Sequence, residues 1–112
     1  MSREPASVSH HERLIEELRA DPAFAREYLA AALAEADEPG GHAALLLVLR
    51  QLAEVHGGLD KLAESAGLRR ETLRRALSPS GNPSLSTLLA ILGALGVRLS
   101  VEPLTAPACP AH

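Results

Sequence analysis

The chain has 112 residues and a formal net charge of −3, with 46% apolar residues and only two aromatic side chains, Phe24 and Tyr28. That length holds one compact domain with a modest appendage and excludes two conventional cores. A core built from Leu, Ala, Val and Ile favours helices packed closely on small residues.

The net charge conceals a division. Residues 1–38 carry four arginines against nine acids, a balance of −5, whereas residues 39–112 carry seven basic groups against five acids, a balance of +2. The balance argues against a generally nucleic-acid-coating protein, and any polyanion-binding surface is expected in the second half. The single cysteine, Cys109, cannot form an internal disulfide. The opening "MSREPASVSHHERL" lacks the apolar stretch of a signal peptide, and the longest apolar run is far short of the ~20 residues that span a bilayer. The expectation is a cytoplasmic protein with no membrane association.

In chain order, residues 1–8 are polar, carry Pro5 and are expected to be disordered. A short helix starts near Ser9, with Leu14, Ile15 and Leu18 at helical spacing, and yields at "ADP". Asp21 followed by Pro22 is a helix-start signal, because the carboxylate accepts from free amides and proline at the first position gives up no needed donor. That second helix runs to about Asp37, with Phe24 and Tyr28 on one stripe, and "EPGG" stops it. Residues 9–38 thus form an acidic helical region. A third helix, from about His42 to Val55, is apolar nearly all round its first turns and is expected to be buried on most sides.

The stretch "LDKLAESAGLRRETLRRALSPSGNPSLSTLLAILGALG" carries the most information. Asp60 is positioned to cap a short helix through Ala66, Gly67 is the left-handed residue at its end, and a second helix covers Arg69 or Arg70 to Leu77. Leu62, Ala63, Ala66, Gly67, Leu68, Leu73 and Ala76 give the helix-turn-helix spacing: a small side chain lets two helices approach, a glycine makes the sharp turn, and apolar positions fill the crossing. "SPSGNP" is a loop, Ser84 caps a further helix through Leu95, and Gly96 ends it. The segment "VRLSVE", from Val97 to Glu102, alternates apolar and polar residues like a half-buried strand. No second strand is evident, so pairing with the same strand of another copy, as a homodimer, is the expectation. Residues 39–102 form the domain, and the tail 103–112 is expected to be disordered.

At about 100° per residue, Leu73, Ala76 and Leu77 share one face of the second helix of the pair, and Arg70, Glu71, Arg74 and Arg75 point away from it. A solvated charged face is the bland account of such a pattern. Arg69 and Arg70, however, lie at the helix start, where the macrodipole disfavours cations by ~0.3–1 kcal/mol each. A phosphate at that end offsets the cost, and a helix in this position of a helix-turn-helix enters the major groove with its N-terminal residues nearest the bases. Base readout is therefore assigned to Arg70 and Glu71 with Arg74 or Arg75, and phosphate contact to Arg69, Thr72 and the remaining arginine. Asn82 and Ser84 are further phosphate candidates, with turn residue and N-cap as their favoured roles.

"DPAFAREYLAAALAEAD" followed by "LAESAGLRRETLRRALSPSGNPSLSTLLAILGALGVRLSV" resembles the probable addiction-module antidote proteins, the helix-turn-helix antitoxins of type II toxin–antitoxin pairs, over about residues 20–101. The resemblance implies an all-α, lambda-repressor-like fold with an N-terminal helical extension and a short C-terminal strand. It also implies dimerisation, repression of the protein's own operon, and neutralisation of a RelE-like toxin that cleaves mRNA. The family often has serine where this chain has Arg69, a departure that removes a helix cap and adds a cation. Because an RNA-cleaving toxin must be basic, the acidic N-terminal helices are one candidate for its contact, through Phe24, Glu27 and Tyr28. The other account is that Phe24, Tyr28 and Leu29 pack on the domain while the acids face solvent, and both can hold on opposite sides of one helix.

"HHE" at His10 to Glu12 suggests metal chemistry, but adjacent histidines on a helix point about 100° apart, and His42, His56 and His112 have no ligand spacing. No catalytic arrangement, phosphate loop or cofactor motif is present, so neither an enzyme nor a cofactor is expected. The alternatives are a stand-alone phage-type repressor and, in a different class, a helical protein-binding adaptor on a helix-turn-helix scaffold.

Overall fold

The computed structural model describes residues 6–103, with side chains from His10 onward. Six helices follow in order: α1 (Ala6–Ala20), α2 (Pro22–Ala34), α3 (Gly41–Val55), α4 (Leu59–Ala66), α5 (Arg70–Ala76) and α6 (Leu85–Ala94). The protein is all-helical among the described residues. Helix α1 begins at Ala6, so residues 6–8 are helical rather than disordered, and the rest of the terminal segments expected to be disordered lies, except for Pro103, outside the described residues.

Local chemistry sets the boundaries. Asp21 Oδ1 accepts from the Phe24 amide at 3.2 Å, with Pro22 in the first turn of α2. Helix α2 stops at Ala34, three residues before the expected end. The chain then runs through successive turns closed by Glu38 N–H to Glu35 C=O and Gly41 N–H to Glu38 C=O. Pro39 disfavours helical backbone at Glu38, which keeps the helix from continuing. Helix α4 starts at Leu59 with Gly58 as its N-cap, so Asp60 lies in the first turn and is not the cap. Its backbone φ of +107° lets Gly58 begin the helix earlier than the carboxylate signal suggested. Ser84 does cap α6, its Oγ accepting from the Thr87 amide at 3.2 Å.

Helix α3 is the centre of the fold. It contributes Leu45, Leu46, Val48, Leu49, Leu52 and Ala53 to the core and packs on α1, α2 and α4. Helix α4 then carries α5 and α6. Leu18 and Leu29 bring α1 and α2 onto the same cluster that holds Leu62, Leu73, Leu77, Ile91 and Leu92. The N-terminal helices and the arginine-rich region therefore share one core.

The expected C-terminal strand is absent among the described residues, where 95–103 form a turn and irregular chain. The Val97 amide is spent on the Leu92 carbonyl at the end of α6, and among the described residues nothing offers an edge to 97–102. A strand forms only when its amides have a partner ladder. Alternation of side chains gave the segment strand character without supplying that partner, and Val101 is left 98% exposed.

Candidate nucleic-acid interface

The turn between α4 and α5 is built by Gly67, whose φ of +71° and ψ of +29° are left-handed. Its amide donates to Glu64 C=O, and the Leu68 amide reaches back to Ala63 C=O at 2.9 Å, which satisfies the last carbonyls of α4 while the chain reverses. Leu62 and Ala63 are buried on the α4 side, Leu73 and Leu77 on the α5 side, and Ala66, Leu68 and Ala76 are half-buried around them. The small Ala63 side chain keeps the two helices close at this contact.

With Leu73 and Leu77 fixed inward and Ala76 half-buried beside them, the other side chains of α5 face solvent. Arg69, Arg70, Glu71, Thr72, Arg74 and Arg75 are all exposed. Arg69 is the N-cap of α5 in extended conformation, with no side-chain hydrogen bond to the first turn, so the helix starts without the usual polar cap. Arg74 and Arg75 lie in the last turn, where the macrodipole favours them. Arg70 lies at the unfavourable end, and there its Nη1 donates to Asp60 Oδ2 of α4 at 2.9 Å.

The chain beyond α5 is held by α3. Arg50 donates from Nη1 to the Leu77 carbonyl, which caps the helix end. His42 Nε2 lies 3.0 Å from the Gly81 carbonyl, and because a carbonyl only accepts, that nitrogen carries the proton. Ser78 Oγ donates to Arg75 C=O at 2.9 Å, and the Gly81 amide closes a turn on Ser78 C=O at 2.8 Å. Together these place a groove beside α5, where Thr72 and Arg75 from the helix, Ser78, Ser80, Asn82 and Ser84 from the loop, and Thr87 from α6 stand among Ala76, Gly81 and Pro83. Thr72, Arg75, Asn82 and Ser84, separated by up to twelve positions in sequence, are brought to one concavity. Ser84 Oγ is committed to Thr87, whereas Asn82 is exposed in the groove.

Gly81 is required by close approach. A Cβ at this position would stand 2.1 Å from the Ala76 carbonyl oxygen and 2.7 Å from that of Arg75, both backbone atoms. Gly81→Ala therefore forces the loop away from α5. A loss of about 1–3 kcal/mol is expected in urea unfolding, against little change for an exposed control such as Ser80→Ala.

The residues proposed for toxin contact divide. Phe24 and Tyr28 are half-buried against the core, their rings 5.9 Å apart, and Tyr28 Oη donates to Gln51 Oε1 at 2.7 Å. Glu27 is exposed. His11 lies 3.1 Å from Glu54 and His56 3.0 Å from Ser65, so both imidazoles bridge helices. Among the described residues no group of three His, Cys, Asp or Glu side chains could hold a metal ion, and no helix is long and apolar enough to cross a membrane. His112 and Cys109 lie outside the described residues.

Sequence reasoning did not assign Asp60, Arg50, His42, Ser78, Ser80 or Thr87 to this region. Asp60 gave a readable signal as an acid near a helix start, but a partner ten residues away is not visible without the turn that joins them.

The family model for "probable addiction module antidote protein" matches residues 12–103, which takes in all but the beginning of α1 and every other helix. An uncharacterized protein of Haemophilus influenzae (strain ATCC 51907 / DSM 11121 / KW20 / Rd) is 33% identical over 58 residues, covering 50% of this chain and 60% of its own length. No solved structure matches. With five of its six helices wholly inside the matched segment, the chain belongs to the family of probable addiction module antidote proteins.

Proposed function

We propose that the protein is an antitoxin that binds DNA through a helix-turn-helix formed by α4 and α5 in a lambda-repressor-like domain, represses its own operon as a homodimer, and neutralises a small basic RelE-like toxin that cleaves mRNA. It acts by binding and catalyses no reaction. The observation that carries the reading is the exposed face of α5: four arginines at 69, 70, 74 and 75 stand outward because Leu73 and Leu77 are buried, next to a groove of hydroxyl and amide groups. Arginine forks match guanine edges and phosphates, and the groove suits a neighbouring phosphate. Arg70 and Glu71, with Arg74 or Arg75, are the base readers in this reading; Arg69, Thr72 and the remaining arginine are the backbone contacts, and Asn82 and Ser84 further candidates for them.

Family membership supports a toxin partner in general. The acids at Glu12, Glu16, Glu17, Glu27, Glu35, Asp37 and Glu38 are all exposed and offer a basic partner a complementary surface. Phe24 and Tyr28 support that surface from beneath. For the homodimer, the exposed Leu99 and Val101, and the backbone of 98–102 that has no hydrogen-bond partner among the described residues, favour contact between two copies of this segment.

Affinity for the protein's own promoter, measured across salt concentration, tests the DNA reading. Two arginine–phosphate contacts from each of two copies give a log–log slope of about −4. A flat salt dependence overturns it and leaves a protein-binding adaptor. Co-expression with the adjacent gene tests the second half: a small basic product should co-purify with the antitoxin and lose its RNA cleavage. A chain that binds its promoter but captures no such product is a stand-alone repressor.

A further inference from the structure

We propose that Asp60 is a positioning residue for sequence reading: it holds the Arg70 guanidinium by one edge so that the remaining donors meet a base, and it repels a phosphate placed at the same point. The inference rests on the DNA-binding reading above and assigns a role to a residue outside the face that makes contact.

Three observations carry it. First, Arg70–Asp60 is the one ion pair between Arg or Lys and Asp or Glu among the described residues, which include all of the chain's eleven lysines and arginines except Arg3. In a surface this rich in both signs, the pairing of the arginine at the start of α5 is specific. Second, both side chains are largely exposed, at 62% and 66%. An exposed pair contributes little to stability, and α4 and α5 are already joined through buried Leu62, Ala63, Leu73 and Leu77. Its part in holding the fold is therefore small. Third, only Nη1 is used, at 2.9 Å. Guanidinium has five donors, so an unspent edge remains for two acceptors such as guanine O6 and N7.

The physical gain is in preorganisation. A free arginine carries about 2 kcal/mol of rotamer entropy, part of which must be lost to make a bidentate contact. Holding one nitrogen on α4 removes some of that freedom before DNA arrives. The carboxylate also acts against the wrong complex. On an unrelated sequence with no acceptor pair for Arg70, the nearest anions are phosphates, and Asp60 opposes them.

The test uses full-length Asp60→Asn with three duplexes: the promoter operator, operators with each guanine of a half-site replaced in turn, and an unrelated sequence. Asp60→Asn should lower operator affinity about fivefold and raise affinity for the unrelated duplex, so that the ratio between them falls at least tenfold. The discrimination lost should be that at the guanine to which Arg70→Ala is also blind, and the double variant should lose no more than Arg70→Ala alone. Asp60→Glu should restore part of the ratio. Thermal unfolding shows that the variants are folded; if Asp60→Asn unfolds, Asp60→Glu and Arg70→Lys, which keep both charges but alter reach or fork, are read against the same duplexes and should lower the ratio at that same guanine. If Asp60→Asn instead strengthens binding to every duplex equally, the carboxylate is merely a repelling charge and the proposal is overturned while the DNA reading stands. A wild-type chain that does not prefer its promoter to the unrelated duplex overturns the reading beneath it.

Discussion

Leu49→Ala is expected to cost about 2–5 kcal/mol, enough to lower the melting temperature by on the order of 10–30 °C in a domain of this size. Leu49 is 0% exposed and lies in the middle of α3, the helix that packs on α1, α2 and α4. The removed methyl groups leave a space that the surroundings fill poorly, because the core cluster consists mainly of other leucines held on separate helices. Small domains have only about 5–15 kcal/mol of stability, so this one change consumes a large share. Leu47→Ala, on the same helix but 45% exposed, is the control and should cost well under half as much. Urea unfolding of both variants checks the expectation; equal losses would mean that α3 is not the centre of the core. The change has a functional consequence too, because α3 carries Arg50 and His42, which hold the end of α5 and the following loop.

The elements that were legible in the sequence are those whose signals are local. Asp21 before Pro22 and Ser84 before "LSTLL" cap their helices through side-chain bonds to amides three residues on, so the residues that decide the boundary are adjacent in the chain. Gly67 at the turn is equally local, since its left-handed backbone is set by its own lack of a side chain. Legibility failed where a boundary or a role depended on a distant group. Asp60 read as a cap because acids are common at that position, but Gly58 begins the helix and Asp60 meets Arg70 across the turn. The segment from Val97 to Glu102 had the alternation of a strand but not the neighbour that makes one. Phe24 and Tyr28 were left open between packing and partner contact, and their packing depends on Gln51 and the α3 core beside them, which lie far off in sequence.

The same division separates the arginines of α5. Their outward direction follows from Leu73 and Leu77, but their different roles follow from what surrounds each, and single substitutions should resolve them. All four are exposed, so replacement by alanine should change stability by no more than about 0.5 kcal/mol, and by at most ~1 for the paired Arg70. Arg70→Ala and Arg74→Ala are each expected to weaken operator binding by about 1–3 kcal/mol, roughly 5–150-fold, with a much smaller loss on unrelated DNA. Arg69→Ala, at the N-cap, should weaken all duplexes to a similar extent and reduce the salt slope by about one per copy. Titrations of each variant on operator and unrelated duplexes over a range of salt separate the two patterns. If Arg70→Ala and Arg74→Ala leave operator affinity unchanged, α5 does not read bases, whatever its charge. If they weaken every duplex alike, these side chains hold phosphates, and sequence must be read by Glu71, by Arg75 or by the shape of the DNA that the groove beside α5 accepts.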